Sequence, residues 1–305
     1  MSFKLTILGS SGALPAYGRF PSSQYLTIQN HHFLIDCGEG TQSQLAQYSV
    51  QSHKINHIFI SHLHGDHYLG LTGLIFSMHL QRRESDLHLY SFMGLEEILL
   101  AQLKHSKSIL NFKVVFHRLE EGNIEMIFED DLLTVATIPL DHKIPTSGFL
   151  FREKPNEIRI DKSKLKEGIS FQHILLLKKG EDVSDENGKI IYRNSDYTLP
   201  AKPSLSYAYC SDTQPSEKII EQIRGTDLLY HEATFMEDER EKAKQTRHST
   251  AADAARVAKL SHAKKLIIGH FSARYKDLSG LLEEAKQIFA ETSLAKEGNT
   301  FELYN

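Results

Sequence analysis

Cysteine is scarce in this sequence. The chain has 305 residues and only two cysteines, Cys37 and Cys210, which are far apart and form no CxxC pair. Two cysteines exclude a disulfide scaffold, so we expect both thiols to be buried in strands, where isolated cysteines usually lie. No apolar run approaches the ~18 residues of a membrane span. Residues 1–5 also lack the basic start and apolar core of a signal peptide. We therefore expect a cytoplasmic protein that does not cross a membrane.

An excess of positive charge is also missing. The formal net charge is −4, which does not favour a nucleic-acid ligand, because a protein that binds a polyanion usually carries a basic surface. The segment 152–179 is an exception, with eight basic and four acidic residues and thus a local charge of +4. On charge alone, this segment is either a solvated loop or a contact surface for a polyanion.

The hydrophobic pattern predicts many strands with helices between them and no internal repeat, which is typical of a layered α/β protein. We expect a single domain over residues 1–305. Residues 153–200, rich in Lys, Asp, Asn and Gly, are expected to form an inserted flexible arm, because loops of this length usually have a function. The predicted strands are 3–8, 24–28, 32–36, 56–61, 87–92, 112–116, 124–128, 132–138, 147–151, 207–211, 228–231 and 266–270. The predicted helices are 68–81, 95–103, 215–223, 251–260 and 281–291.

The main chemical signal is the segment SHLHGDH at residues 61–67, which follows a predicted apolar strand. Imidazole and carboxylate groups are natural ligands of Zn²⁺. His62 and His64 are spaced to hold one ion, and Asp66 and His67 can turn to a second ion beside it. The alternative is an ordinary surface loop.

Three further candidate ligands each follow a predicted strand. They are His142, Asp212 and His270. A single residue at a strand end is a weak signal, but ligands gather at the carboxyl ends of strands in layered α/β folds. Asp212 has two carboxylate oxygens and is therefore suited to bridging two metal ions.

This ordered set of ligands resembles that of the metallo-β-lactamase superfamily, and several further motifs resemble tRNase Z. Among them, the paired HEAT and HST motifs are what distinguish tRNase Z from hydrolases that share only the metal motif. The resemblance runs in order along nearly the whole chain. The motifs are LGSSG at 8–12, GRFPSS at 18–23, DCGEGTQ at 36–42, HKIP at 142–145, HEAT at 231–234, HST at 248–250 and GHFSARY at 269–275.

The resemblance implies a four-layered αββα metallo-β-lactamase sandwich with a protruding arm that clamps the tRNA. It also implies a homodimer and a zinc-dependent endoribonuclease that removes 3′ trailers from precursor tRNA and leaves a 3′-hydroxyl. Two zinc ions per chain would be held by His62, His64 and His142 at the first ion, by Asp66, His67 and His270 at the second, and by Asp212 at both. The arm of this family often has a Gly-Pro pair near its tip, and none occurs between residues 153 and 180.

The same resemblance assigns the acid–base residues. Asp66 would accept the proton of the nucleophile, and His248 would protonate the leaving 3′ oxygen. Glu232 would orient His248 and raise its pKa. Thr250 and Asp253 have capping-box spacing, which would place His248 at the start of a helix. The substrate-binding candidates are Arg274, whose planar guanidinium suits a phosphate, Ser272, and the arm residues Lys162, Lys164, Lys166, Lys178 and Lys179.

Two other functions remain open at this point. A hydrolase of the same fold that acts on small phosphodiesters or thioesters would keep all seven metal ligands, but it would need neither a basic arm nor the HEAT and HST pair. A non-catalytic RNA-binding relative would have lost the metal site. The identity of the native metal is also open, because manganese and iron use similar ligands.

Overall fold

The structure, a computed structural model, describes residues 3–165 and 168–304. Two seven-stranded sheets form its centre. The first has the order β18-β1-β2-β3-β4-β5-β6, with antiparallel pairing from β18 to β3 and parallel pairing from β3 to β6. Its strands are β1 (Phe3–Gly9), β2 (Ser23–Ile28), β3 (His31–Cys37), β4 (His57–Phe59), β5 (Leu87–Ser91), β6 (Val114–Arg118) and β18 (Thr300–Leu303).

The second sheet has the order β17-β16-β15-β14-β9-β8-β7, and its strands from β14 to β17 are parallel. They are β7 (Met126–Glu129), β8 (Leu133–Pro139), β9 (Ser147–Glu153), β14 (Ser206–Cys210), β15 (Leu228–Glu232), β16 (Leu266–Gly269) and β17 (Thr292–Leu294). As expected, both cysteines are buried, each as the last residue of a strand.

The two sheets pack face to face through aromatic side chains. The ring of Phe151 on the second sheet lies 5.4 Å from that of Phe33 and 5.5 Å from that of Phe59, both on the first sheet. Alternate residues of a strand point to opposite faces, so Leu34 and Ile58 face outward into a separate apolar cluster. Each sheet therefore has an inner face in the common core and an outer face that needs a cover.

Helices cover both outer faces. On the first sheet, the outer cluster includes buried leucines of α1, α3 and α4. On the second, α9 packs against β15 and β16, with α7 and α10 beside it. This is the αββα arrangement expected from the sequence. The helices are α1 (Thr41–Gln47), α2 (Gly65–Tyr68), α3 (Leu71–Leu80), α4 (Leu95–His105), α5 (Phe171–Lys178), α6 (Asn194–Tyr197), α7 (Glu217–Gln222), α8 (Arg240–Thr246), α9 (Ala251–Leu260) and α10 (Ser279–Ile288).

The predicted helix 68–81 is divided in the structure. Gly70 separates α2 from α3, and its N–H donates to Cys37 O at 2.9 Å. A Cβ atom on Gly70 would lie 2.1 Å from Gly38 O, so only glycine permits this approach of the two backbones. Asp66 and His67 lie in α2, on the N-terminal side of this break. Helices α1 and α8 were not predicted, because both are mostly polar.

The segment between β9 and β14 has a small core of its own. Leu177, Val183 and Tyr197 are buried together. Its elements are α5, α6 and four short strands, β10 (Arg159–Ile160), β11 (Val183–Ser184), β12 (Ile190–Tyr192) and β13 (Thr198–Leu199), which pair β10 with β13 and β11 with β12. The inserted arm was expected over residues 153–200, and both the arm and its flexibility stay predictions. Within residues 3–165 and 168–304, no helix has the length and apolar character needed to cross a membrane.

Candidate active site

The seven predicted metal ligands meet at one edge of the two sheets. His62 and His64 lie in the loop between β4 and α2, while His142, Asp212 and His270 follow β8, β14 and β16. Each of these strands is buried in the core, so the base of each loop is held rigidly. His270 has a φ of 58°, an uncommon conformation for a residue with a side chain, and this backbone turn occurs where the chain leaves β16.

Three imidazoles and one carboxylate oxygen form the first group of candidate ligands. The Nδ1 atom of His64 lies 3.0 Å from His62 Nε2 and 3.3 Å from His142 Nε2. Asp212 Oδ2 lies 3.6 Å from His62 Nε2 and 3.7 Å from His142 Nε2. These four ligand atoms lie within 4.8 Å of one another.

The second group lies on the other side of Asp212. Asp66 Oδ2 is 3.3 Å from both His67 Nε2 and His270 Nε2. Asp212 Oδ1 is 3.4 Å from His67 Nε2 and 3.1 Å from His270 Nε2. One oxygen of Asp212 therefore faces each group, which is the geometry of a bridging carboxylate.

The residues fit a metal centre. His67 Nε2 is buried and has no hydrogen-bond partner among residues 3–165 and 168–304, an unfavourable state for a polar atom unless a ligand satisfies it. Burial lowers the pKa of His67, but the carboxylates of Asp66, Asp212 and Asp36 outweigh burial and raise it well above its usual value. The site thus favours a positive charge here. At His62, burial is the main cause of a lowered pKa, which favours the neutral imidazole that binds metals.

Asp36 holds His67 in place. Its Oδ2 accepts hydrogen bonds from His67 Nδ1 at 2.7 Å and from Tyr209 OH at 2.6 Å. The N–H of Ser61 donates to Asp36 Oδ1 at 2.7 Å, and the Ser61 hydroxyl donates to Oδ2 at 2.9 Å. Such partners orient metal-binding histidines. Asp36 was not among the predicted site residues, although an aspartate directly after the apolar residues of β3 was an available signal.

Arg247 holds His142 in a similar way. His142 Nδ1 donates to Arg247 O at 2.9 Å, and the Arg247 guanidinium donates to His142 O at 2.8 Å. Arg247 ends α8 in a left-handed conformation, with a φ of 56°. The sequence contained no signal for this contact, because the two residues are 105 positions apart.

Glu232 and His248 form a pair beside the candidate metal ligands. His248 Nδ1 lies 2.7 Å from Glu232 Oε1, and its Nε2 lies 4.0 Å from Asp212 Oδ2. Burial alone lowers the pKa of His248, but the charge and hydrogen bond of Glu232 raise it to about 9. The predicted capping box is present, since Thr250 and Asp253 bond to each other's backbone N–H at the start of α9. His248 therefore has a fixed position.

A cavity of about 570 Å³ opens beside these groups. Its wall includes Asp66, Asp212, His248 and His270, together with Ser272 and the exposed apolar side chains of Leu14 and Leu69. The structure thus brings Ser272 to the site. Its role in substrate binding stays a prediction.

The other substrate-binding candidates lie on exposed surface. Arg274 pairs with Glu239 and lies 5.2 Å over the ring of Phe235, so a phosphate would have to compete with Glu239. Lys162, Lys164, Lys178 and Lys179 are exposed on the arm segment, and Lys178 Nζ lies 3.3 Å from Glu157 Oε2. Lys166 lies outside the described residues. RNA contacts by these residues stay predictions.

Comparison with known proteins identifies the family. A ribonuclease Z from Cytophaga hutchinsonii is 49% identical to this chain over 301 residues, which cover 99% of this chain and 96% of that protein. The chain belongs to the ribonuclease Z family. The crystal structure of human tRNase Z, short form, has a similar fold. Its TM-score to this chain is 0.71, its sequence identity is 26%, and the match covers 98% of each chain.

Two further matches concern the fold and a second family. The crystal structure of the metallo-β-lactamase fold protein YhfI from Bacillus subtilis also has a similar fold. Its TM-score to this chain is 0.70 and its sequence identity is 19%. The match covers 99% of this chain and 100% of YhfI. The expected metallo-β-lactamase fold is confirmed. Residues 3–157, just over half of the chain, match the family model described as Anti-Pycsar protein Apyc1, and the chain belongs to that family as well.

Proposed function

We propose that this chain is a metal-dependent endoribonuclease that removes 3′ trailers from precursor tRNA and leaves a 3′-hydroxyl on the tRNA. The ribonuclease Z relative supports the reaction and its substrate. The observation that carries the proposal is the position of the Glu232–His248 pair beside a bridging carboxylate. A phosphodiesterase needs both a centre that activates water and a proton donor for the leaving oxygen, and these two parts are adjacent here.

We infer that the native cofactor is a pair of zinc ions. When bound, two such ions lower the pKa of water so that hydroxide is available near neutral pH, and they offset the negative charge that develops on the phosphoryl oxygens. Nitrogen and carboxylate oxygen ligands are those that zinc prefers in proteins. His62, His64 and His142 would hold one ion, Asp66, His67 and His270 the other, and Asp212 both.

Asp66 and His248 would handle the two protons of the reaction. Asp66 Oδ2 accepts the N–H of Ala13 at 2.8 Å, which fixes this carboxylate where it can accept a proton from the attacking water. Glu232 can only accept hydrogen bonds while it is ionised, so His248 Nδ1 donates to it. With its pKa at about 9, His248 also holds a proton on Nε2 at neutral pH, and this proton would go to the leaving 3′ oxygen.

We further propose that residues 153–200 contact the body of the tRNA and that the protein is a homodimer. The arm has a local charge of +4 over residues 152–179 on a chain of net charge −4, and attraction between basic residues and phosphates dominates affinity for nucleic acids. The dimer is what the resemblance to the family implies, and equilibrium sedimentation tests it directly.

Incubation of the zinc-loaded protein with one precursor tRNA tests the function. We expect a single cut at the 3′ end of the mature tRNA and a new 3′-hydroxyl, with cutting by the His248→Ala variant slower by about 10²–10⁴ under the same conditions. Hydrolysis of a small chromogenic phosphodiester without cleavage of the precursor would contradict the proposal and favour a small-molecule phosphodiesterase. A protein that binds RNA but retains no zinc would favour the non-catalytic alternative.

A further inference from the structure

The hydroxyl of Thr234 contacts both the Glu232–His248 pair and the second group of candidate metal ligands. Thr234 is buried and follows β15 by two residues. Its Oγ1 atom lies 2.6 Å from Glu232 Oε2 and 2.9 Å from His270 Nδ1. Glu232 orients His248, and His270 is one of the candidate metal ligands. Thr234 is therefore a direct link between the acid pair and the second ligand group.

The direction of each hydrogen bond follows from the donor count. Ionised Glu232 has no proton to give, and a threonine hydroxyl has one. Thr234 must therefore donate to Glu232, and its oxygen is left to accept from His270. The proton of neutral His270 is then on Nδ1, and the lone pair of its Nε2 points towards Asp66 and Asp212, at 3.3 and 3.1 Å. Metal binding through Nε2 needs this tautomer.

Glu232 depends on the same residue. Its Oε2 accepts both the hydroxyl and the backbone N–H of Thr234, at 2.6 and 3.0 Å, while its Oε1 accepts His248 Nδ1 and the N–H of Thr213. These four contacts hold the buried carboxylate, and the one from the Thr234 hydroxyl is the shortest of them. His248 thus receives its position from Glu232, and Glu232 receives part of its own from Thr234.

We propose that Thr234 is a positioning residue that fixes the tautomer of His270 and the rotamer of Glu232 through a single hydroxyl, and so couples the second metal site to the general acid. This inference rests on the metal centre and the acid of the proposed function. Loss of the Thr234 hydroxyl should affect the second ligand group and leave the first unchanged, because the first group is oriented by other contacts. His142 donates to the backbone carbonyl of Arg247, which the loss of the Thr234 hydroxyl does not remove.

The test compares Thr234→Val with Thr234→Ser. Valine keeps the shape of threonine and removes the hydroxyl, whereas serine keeps the hydroxyl. Thr226→Val is the matched control, because Thr226 is also buried and its hydroxyl donates to Ile223 O at 2.5 Å, in the turn between α7 and β15. Three quantities are measured: zinc affinity by competition with a chromophoric chelator, the tautomer of His270 by ¹⁵N NMR of the full chain without zinc, where no metal fixes the tautomer, and kcat and KM of the zinc-loaded protein on precursor tRNA.

We expect Thr234→Val to bind one zinc ion as the wild type does and the other about 10- to 100-fold more weakly, the usual effect of losing a partner of a metal ligand. At saturating zinc its kcat should still be lowered, with KM nearly unchanged, because Glu232 has lost a contact. Thr234→Ser and Thr226→Val should both resemble the wild type. A mixed His270 tautomer in Thr234→Val alone would support the coupling, because a general loss of stability does not change a tautomer.

The failures of the two proposals are distinguishable. If wild-type protein cuts precursor tRNA and Thr234→Val keeps both zinc affinities and the His270 tautomer, the coupling is wrong and the proposed function stands. Equal losses in Thr234→Val and Thr226→Val would also overturn the coupling. If the affinity loss is confined to one ion in Thr234→Val but wild-type protein does not cut precursor tRNA, the coupling stands and the proposed function is wrong.

Discussion

Replacement of His248 by alanine separates its two possible roles. The side chain lies within 4.8 Å of ligand atoms of both Asp212 and His270, so position alone permits a metal ligand as well as an acid. The contacts favour the acid. His248 Nδ1 bonds to Glu232 at 2.7 Å, and Nε2 is 4.0 Å from the nearer Asp212 oxygen, farther than the 3.1–3.7 Å of the ligand histidines. We therefore expect His248→Ala to retain the zinc content of the wild type.

Turnover should fall strongly in the same variant. Loss of a general acid costs about 10²–10⁴ in rate, or about 3–5 kcal/mol in the activation barrier at 1.36 kcal/mol for each tenfold change. A precursor tRNA whose leaving 3′ oxygen is replaced by sulfur provides the decisive assay. A thiol has a pKa of about 8.5, so a thiolate leaves without a proton, and much of the lost rate should return on this substrate.

Two results would refute this reasoning about His248. Loss of one zinc ion from His248→Ala would make His248 a metal ligand. An equal rate loss on the oxygen and sulfur substrates, with zinc retained, would make it a substrate-positioning group. Single-turnover measurements at saturating enzyme keep product release from masking either outcome.

Three further predictions concern the metal bridge, the arm and the core. Asp212→Ala should weaken binding of both zinc ions, because its two oxygens face both ligand groups; a variant that retains two tightly bound ions by metal analysis would disprove the bridge. Deletion of residues 161–179 should raise KM for precursor tRNA and flatten its salt dependence, with hydrolysis of a small phosphodiester nearly unchanged; equal losses on both substrates in steady-state kinetics would show that this segment supports the fold instead. Burial lowers the pKa of His57 to about 3, with His88, His31 and His117 lowering it further and Asp130 opposing them. Between pH ~6.5 and ~3, His57 is therefore protonated in the unfolded chain but neutral in the folded protein. The free energy of unfolding falls as the pH drops through this window, and His57 accounts for a loss of about 2 kcal/mol at pH 5. Urea unfolding of His57→Gln should show a shallower loss of stability in acid than wild type, and a parallel loss would contradict the assignment; His105→Gln, at an exposed position on α4, is the control.

The layered class of the fold and the full set of candidate metal ligands could both be predicted from the amino-acid sequence. Strand periodicity is a local property, and so is the spacing of His62, His64, Asp66 and His67 after β4. The later ligands were also accessible, because each lies within three residues of the end of an apolar strand, β8, β14 or β16. The family motifs then supplied the roles of Glu232 and His248, which no local pattern indicates.

The contacts that hold these side chains could not be predicted, because they form between distant parts of the chain. Asp36 reaches His67, Arg247 reaches His142 and Thr234 reaches His270 across 31, 105 and 36 positions of the chain. Sequence patterns report which face of a strand or helix is buried, but the partner of a buried polar group depends on which strand ends are brought together in space. The division of helix 68–81 at Gly70 has the same cause, since it depends on the backbone of residues 37 and 38, which lie in a different part of the chain.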